Sequence, residues 1–199
     1  MTVFLFDLDG TITSQETLPL IAGHFGVTGE IDQLTRQTIV GNIPFIESFI
    51  RRIHILGKFP ASEINELLGN VPLYPQVHEF IRSHAGACFI VTGNLETWVG
   101  RLAAKVGCPC FASTGLIEND RVVKLSSILR KESIVEQMKS KGHKVVFVGE
   151  GNNDMEAMRL ADVSIAVGLT HWPAPGVLSI ADYAVFSEDA LCRLLNQLS

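Results

Sequence analysis

The sequence predicts a doubly wound α/β domain carrying a small all-helical insert after its first strand. Three observations predict it. Short unbroken apolar runs recur at 3–6, 88–91, 145–148, 164–167 and 183–186, and a short run without polar alternation is what a strand buried on both faces looks like. Stretches with helical spacing, 95–106, 131–141 and 153–160, lie between them. Strand and helix in alternation argue for a parallel sheet covered on both sides. Residues 14–70 break that rhythm: Leu18, Ile21, Ala22 and Phe25, then Phe45, Phe49, Ile50 and Ile53, keep helical period.

Element by element, the first strand ends at once in Asp7. The insert is punctuated by Gly26, Gly29, Gly41, Gly57 and Pro60, as a chain of short helices would be. The core resumes at Val71-Pro72-Leu73-Tyr74-Pro75, whose two prolines make a stiff hinge candidate, and a helix at 76–83 leads to the second strand. The expected division is a core of residues 1–13 and 74–199 and a helical cap of residues 14–73.

Composition narrows the function. The 199 residues are 47% hydrophobic with a mean hydropathy of +0.27, enough for a sizeable core. A net charge of -5 argues against nucleic acid or an anionic membrane as the partner. No apolar run approaches the roughly 18 residues of a membrane span, and no basic segment precedes Asp7 as in a leader. Cys108-Pro109-Cys110 is too tight for a zinc pair, so the four cysteines read as free thiols of a reducing cytoplasm. The six histidines, His171 included, have no metal-like spacing and read as surface or partly buried residues. The loop 170–176, with Trp172, Pro173 and Pro175, is a candidate flank of the site mouth. Oligomeric state is not legible.

In open α/β sheets ligands bind beyond the carboxyl ends of the strands. The polar residues there form a coherent set: Asp7, Asp9, Gly10 and Thr11; Thr92, Gly93 and Asn94; Gly149, Glu150, Gly151, Asn152, Asn153 and Asp154; and Lys131 opening a helix. Two carboxylates two residues apart can divide attack and proton transfer. Further carboxylates complete a hard oxygen site for Mg²⁺, while a hydroxyl, backbone N–H groups and a lysine hold phosphoryl oxygens. Alone, each element has a blander reading: D-x-D-G as a turn or calcium loop, T-G-N as a helix cap, Lys131 as a solvated side chain. Their joint order at successive strand ends favours phosphoryl chemistry.

At these residues the chain resembles the haloacid dehalogenase superfamily of phosphohydrolases, and within it the phosphoserine phosphatase-like branch. The D-x-D-G-T motif stands as Asp7-Leu8-Asp9-Gly10-Thr11, the Ser/Thr motif as Thr92, the lysine as Lys131, and G-D-G-x-N-D as Gly149-Glu150-Gly151-Asn152-Asn153-Asp154. The resemblance implies catalysis by Asp7, Asp9, Thr92 and Lys131, with Mg²⁺ at Asp7, Asp9, Glu150 and Asp154. It implies substrate contacts from Glu16, Phe45, Arg52 (with Arg51 as a near rival), Gly93 and Asn94. The implied substrate is phosphoserine or a similar small phosphorylated metabolite. Phosphotransfer to a second alcohol such as homoserine, hydrolysis of another small phosphomonoester, and a non-catalytic binding module stay open as alternatives. Two departures bear on this. Glu150 replaces the usual aspartate, so its longer side chain asks for a shifted backbone or an intervening water at the metal. The segment between Cys110 and Lys131 is shorter than in that branch.

Overall fold

Strand β1 (Thr2–Phe6) lies at the middle of the sheet because it can be buried on both faces. A computed structural model describes residues 1–39 and 42–199, without the side chains of Ile39 and Phe45. In it β1 pairs in parallel with β2 (Cys88–Leu95) on one side and β5 (Lys144–Gly149) on the other. Strands β6 (Val163–Val167) and β7 (Tyr183–Val185) extend the sheet beyond β5. Side chains alternate as the pleat requires. Phe4, Phe6, Val146 and Val148 enter one buried cluster, and Val3, Leu5, Val145 and Phe147 enter the other.

The first face is covered by α5 (Pro75–Ser83), α6 (Glu96–Val106) and α10 (Glu188–Leu198), through residues such as Phe80, Leu102 and Leu195. The second is covered by α7 (Lys131–Ser140) and α8 (Met155–Leu160), through Val135, Met138 and Met158. Full burial of each such side chain contributes roughly 1.5–3 kcal/mol. Phe4 also meets Phe80 edge-on at 5.2 Å between ring centroids. A short helix, α9 (Pro175–Leu178), precedes β7.

The chain between β1 and α5 holds α1 (Thr17–His24), α2 (Thr28–Ile39), α3 (Phe45–Leu56) and α4 (Ala61–Gly69). Both its ends run side by side: Thr13 and Leu73 form an antiparallel bridge, Ser14 N–H donates to Pro72 O at 3.1 Å, and Tyr74 N–H donates to Ile12 O at 2.9 Å. The apolar face of the helices is continuous with the first core cluster, which takes in Ile21, Phe49, Ile53 and Leu68.

The sheet is parallel as expected except at one edge, where it carries a hairpin. The segment from which the sequence yielded no strand forms β3 (Cys110–Glu118), parallel to β2, and β4 (Arg121–Ser127), antiparallel to β3. The order is therefore β4-β3-β2-β1-β5-β6-β7. These strands are half exposed and interleave Ser113, Thr114, Lys124 and Ser126 with apolar residues, so no apolar run betrays them. Their turn uses left-handed backbone at Asn119 (φ 48°) and Asp120 (φ 62°), residue types that tolerate it in tight hairpins. The hairpin also grips the helices. Asp120 accepts from Ser62 N–H at 2.9 Å, and Val122 N–H donates to Gly57 O at 3.0 Å. A side chain at Gly57 would come within 2.9 Å of Val122 Cβ.

Among the described residues no helix is long and apolar enough to cross a membrane. The four cysteines are unpaired. The order of strands reverses beside β1, between β2 and β5, which is where a ligand crevice is expected at the carboxyl ends.

Candidate active site

Lys131 organises the crevice. It begins α7, is 3% exposed, and sets its Nζ 2.6 Å from Asp7 Oδ1 and 2.6 Å from Asp154 Oδ1. Burial works against its charge, but Asp154 and Asp7 outweigh it and hold the ammonium protonated far above the usual lysine range. Asp7 follows β1 directly, and its Oδ1 also accepts from Leu8 N–H at 2.8 Å. Its carboxyl is pushed well above the usual range, first by burial and then by Asp154, with Lys131 opposing.

Asp154 is fully buried and spends both oxygens: Oδ2 accepts from Glu150 N–H at 3.0 Å and Gly151 N–H at 2.9 Å. Gly149 makes room for it, since a Cβ there would lie 2.5 Å from Asp154 Oδ2.

Asp9 is turned toward the insert. Its Oδ1 accepts from Thr17 N–H, the first residue of α1, at 2.7 Å. It keeps some surface in the crevice yet is enclosed by protein, and burial together with Glu16 raises it to about 6. The sharp turn between Asp9 and Thr11 needs Gly10 in the left-handed region (φ 68°), where a Cβ would approach Glu16 Oε1 to 3.2 Å.

Thr92 and Asn94 close β2. Asn94 N–H donates to Thr92 Oγ1 at 3.1 Å, and the Asn94 amide donates to Thr17 Oγ1 at 2.7 Å. Thr17 thus joins Asp9 to Asn94, so the start of the insert is fixed to two strand ends. Ser113, on the unforeseen β3, donates to Gly93 O at 2.7 Å and accepts from Leu129 N–H at 3.0 Å, tying the Thr92 turn to the approach of Lys131.

A cleft of about 120 Å³ brings together Asp7, Asp9, Glu16, Arg52, Thr92 and Glu150. Gly93 and Asn94 also line it. Arg52 lines the cleft, whereas Arg51 pairs with Glu47 along the exposed side of α3. Buried and without a hydrogen-bond partner among the described residues are Arg52 Nε and Thr11 Oγ1. The Phe45 side chain lies outside the described residues. Phe49, one turn further along α3, lines the cleft instead, as do Leu18 and Asn153.

His171 was missed by the sequence reading. Its Nδ1 lies 2.9 Å from Glu150 Oε2 and its Nε2 lies 2.9 Å from Glu16 Oε1. Burial opposes the imidazolium, but Glu16 and Glu150 carry its pKa above the ordinary value. Burial likewise raises Glu150, and although His171 pulls the other way, Glu16 and Asp154 help take it to about 7. The available signal was position: the loop follows β6 at the same end of the sheet as Asp7.

The donor set fits a divalent cation. Asp7, Asp9 and Glu150 offer hard carboxylate oxygens to one cleft, whereas Asp154 spends both of its own on Lys131 and on backbone N–H groups. Among the described residues Glu16, Glu150 and His171 also bring donor atoms within 4.8 Å of one another.

A sequence model of haloacid dehalogenase-like hydrolases matches residues 1–162. The chain belongs to this family. The hydrolase is 27% identical to a phosphoserine phosphatase of Halobacterium salinarum, over 98% of each chain. It is 27% identical to one of Archaeoglobus fulgidus over 82% of its own length, but spans only 52% of that relative. A solved structure described as a substrate-bound phosphoserine phosphatase complex superposes with a TM-score of 0.83, over 98% of this hydrolase and 97% of that chain, at 22% identity. That last likeness establishes the shared fold, with its mostly parallel sheet and flanking helices.

Proposed function

We propose that this hydrolase is a Mg²⁺-dependent phosphomonoesterase acting through an aspartyl-phosphate, with phosphoserine or a similar small phosphorylated metabolite as substrate. The observation that carries the proposal is the buried Lys131 gripping Asp7 and Asp154 at 2.6 Å each, while Asp7 lines one cleft together with Asp9 and Thr92. The relatives' activity supports the same reading.

The residues divide the work as follows. Lys131 and Leu8 N–H hold Asp7 Oδ1, which turns attack on phosphorus over to Oδ2. Asp9, fixed by Thr17 N–H, gives its proton to the departing oxygen and then takes one from the water that cleaves the aspartyl-phosphate. Its pKa of about 6 suits both tasks near neutrality. The Thr92 hydroxyl already accepts from Asn94 N–H, so its own hydrogen is available to a phosphoryl oxygen. Lys131 neutralises charge as phosphate approaches. Asn94 acts by holding Thr17, and hence Asp9, in register.

Asp7, the Asp9 carbonyl and Glu150 would hold Mg²⁺, with Asp154 orienting them. The metal would supply charge screening between Asp7 and the incoming phosphate. Residues 14–73 act as a cap over a core of residues 1–13 and 74–199, with Glu16, Arg52 and residues of α3 reading the organic part of the substrate. Arg52, whose buried Nε has no hydrogen-bond partner among the described residues, suits a substrate carboxylate. The reducing cytoplasm is the proposed compartment, consistent with four free thiols.

Phosphate release from L-phosphoserine, with Mg²⁺ and again with a chelator, tests the proposal against a panel of other phosphomonoesters. Magnesium-dependent release at kcat/KM of about 10⁴ M⁻¹s⁻¹ or more, above the panel, is expected. Equal slow release across the panel rejects the substrate, and absence of release from every ester rejects the activity.

A further inference from the structure

The contact that the proposed chemistry leaves unused is the imidazole of His171. It projects from the loop after β6 and places one ring nitrogen 2.9 Å from Glu16 Oε1 and the other 2.9 Å from Glu150 Oε2. The loop is held at both ends. Thr170 Oγ1 contacts Tyr74 Oη at 2.9 Å, and Ala174 N–H donates to Glu150 O at 2.8 Å. The ring is half exposed and thus displaceable, while Glu150 is nearly enclosed.

Glu16 immediately precedes α1, and its carboxylate borders the same cleft as Arg52 and Asp7. A cationic group on a substrate would look to Glu16 for its counter-charge. His171 already occupies the Oε1 atom of that carboxylate. A substrate ammonium must therefore either share the carboxylate with the ring or push it aside, and each costs part of the binding gained. A phosphomonoester without an ammonium meets no such competition.

We propose that His171 is a specificity-determining residue that competes with a substrate ammonium for Glu16, and so lowers the preference of this site for amino-bearing phosphomonoesters. The inference rests on the phosphomonoesterase reading above. It also gives the loop after β6 a role in substrate choice, reached from the core side of the cleft and not from the helical insert.

The test compares kcat/KM for O-phospho-L-serine with that for phosphohydroxypropionate, the same ester without its ammonium. The comparison is made in wild type, His171→Ala, Glu16→Gln and the double variant. The ratio of the two values cancels effects of His171 on Glu150 and on metal, which both substrates share. Losing a hydrogen bond to a charged group is worth about tenfold or more, so His171→Ala should raise the phosphoserine preference by about tenfold. In the Glu16→Gln background the same change should move the ratio less than about twofold, because the competition has no target there.

A ratio that stays within about twofold of wild type in His171→Ala overturns the inference. So does an equal rise in the Glu16→Gln background. Either result leaves the phosphomonoesterase reading standing, since both esters are then hydrolysed. If wild type hydrolyses neither ester, that reading falls and takes this inference with it.

Discussion

Replacing Lys131 with methionine tests the electrostatic design of the site without using its activity. The change keeps an unbranched side chain, one heavy atom shorter, and removes its charge. At an effective dielectric of about 20, each 2.6 Å contact represents about 6 kcal/mol of gross attraction. Desolvation of the buried ammonium and carboxylates consumes several kcal/mol of that. The variant recovers the desolvation of Lys131 but leaves Asp7 and Asp154 buried, close together and uncompensated. Removing one partner of a buried pair costs about 3–5 kcal/mol, and we expect that loss at pH 8 in metal-free buffer. For a chain of this size it corresponds to a fall in Tm of roughly 6–20 °C.

The sign of the pH dependence follows from the carboxyls. Asp7 already has a raised folded-state pKa, and loss of Lys131 raises it further. A carboxyl raised on folding binds more protons in the native state, so its penalty is present above the folded pKa and fades as pH falls through it. The stability gap between variant and wild type should therefore narrow between pH 8 and pH 5. Urea unfolding at both pH values, followed by circular dichroism, measures it. A gap below about 1 kcal/mol at pH 8, or a gap that widens toward pH 5, would refute the argument.

Other expectations follow from the same geometry. Asp7→Asn should abolish turnover while keeping stability at pH 8 no lower than wild type, because Lys131 keeps Asp154 as its buried partner while a carboxylate whose ionised form burial disfavours is removed; phosphate release and thermal melting check the two halves. Glu150→Ala should weaken Mg²⁺ binding by about tenfold or more, read by calorimetric titration, if Glu150 is a ligand as proposed. Gly149→Ala puts a methyl 2.5 Å from Asp154 Oδ2 and should cost about 1–3 kcal/mol in urea unfolding. Asp120→Ala removes the carboxylate that caps the Ser62 N–H and hydroxyl, and should speed hydrogen exchange in the first turn of α4 while leaving β1 unchanged.

The central strands were legible because β1, β2 and β5 are buried on both faces and leave a continuous apolar record, and the strand ends marked where polar residues would gather. The β3–β4 hairpin was not, since half-exposed strands alternate polar and apolar residues too irregularly to stand out from a loop. That omission matters to the site: Ser113 braces the Thr92 turn, and Asp120 holds α4. Asp7, Lys131 and Asp154 could be grouped from chain order alone because each follows a strand or opens a helix at one end of the sheet. His171 could not, since its partners Glu16 and Glu150 lie far away in sequence and a lone histidine carries no spacing signal. The fate of the Asn94 amide, spent on Thr17, likewise depends on the fold of the insert and is invisible in a T-G-N motif.

The central claim is that Asp7 accepts the phosphoryl group. Its most direct test is to mix enzyme with excess phosphoserine and Mg²⁺, quench in acid within the turnover time, and measure the mass of the peptide containing residues 1–13. The account predicts one added phosphoryl group on Asp7, absent when the chelator is present and absent in Asp7→Asn. Sustained phosphate release with that peptide unmodified at every quench time, or with release surviving Asp7→Asn, would contradict it.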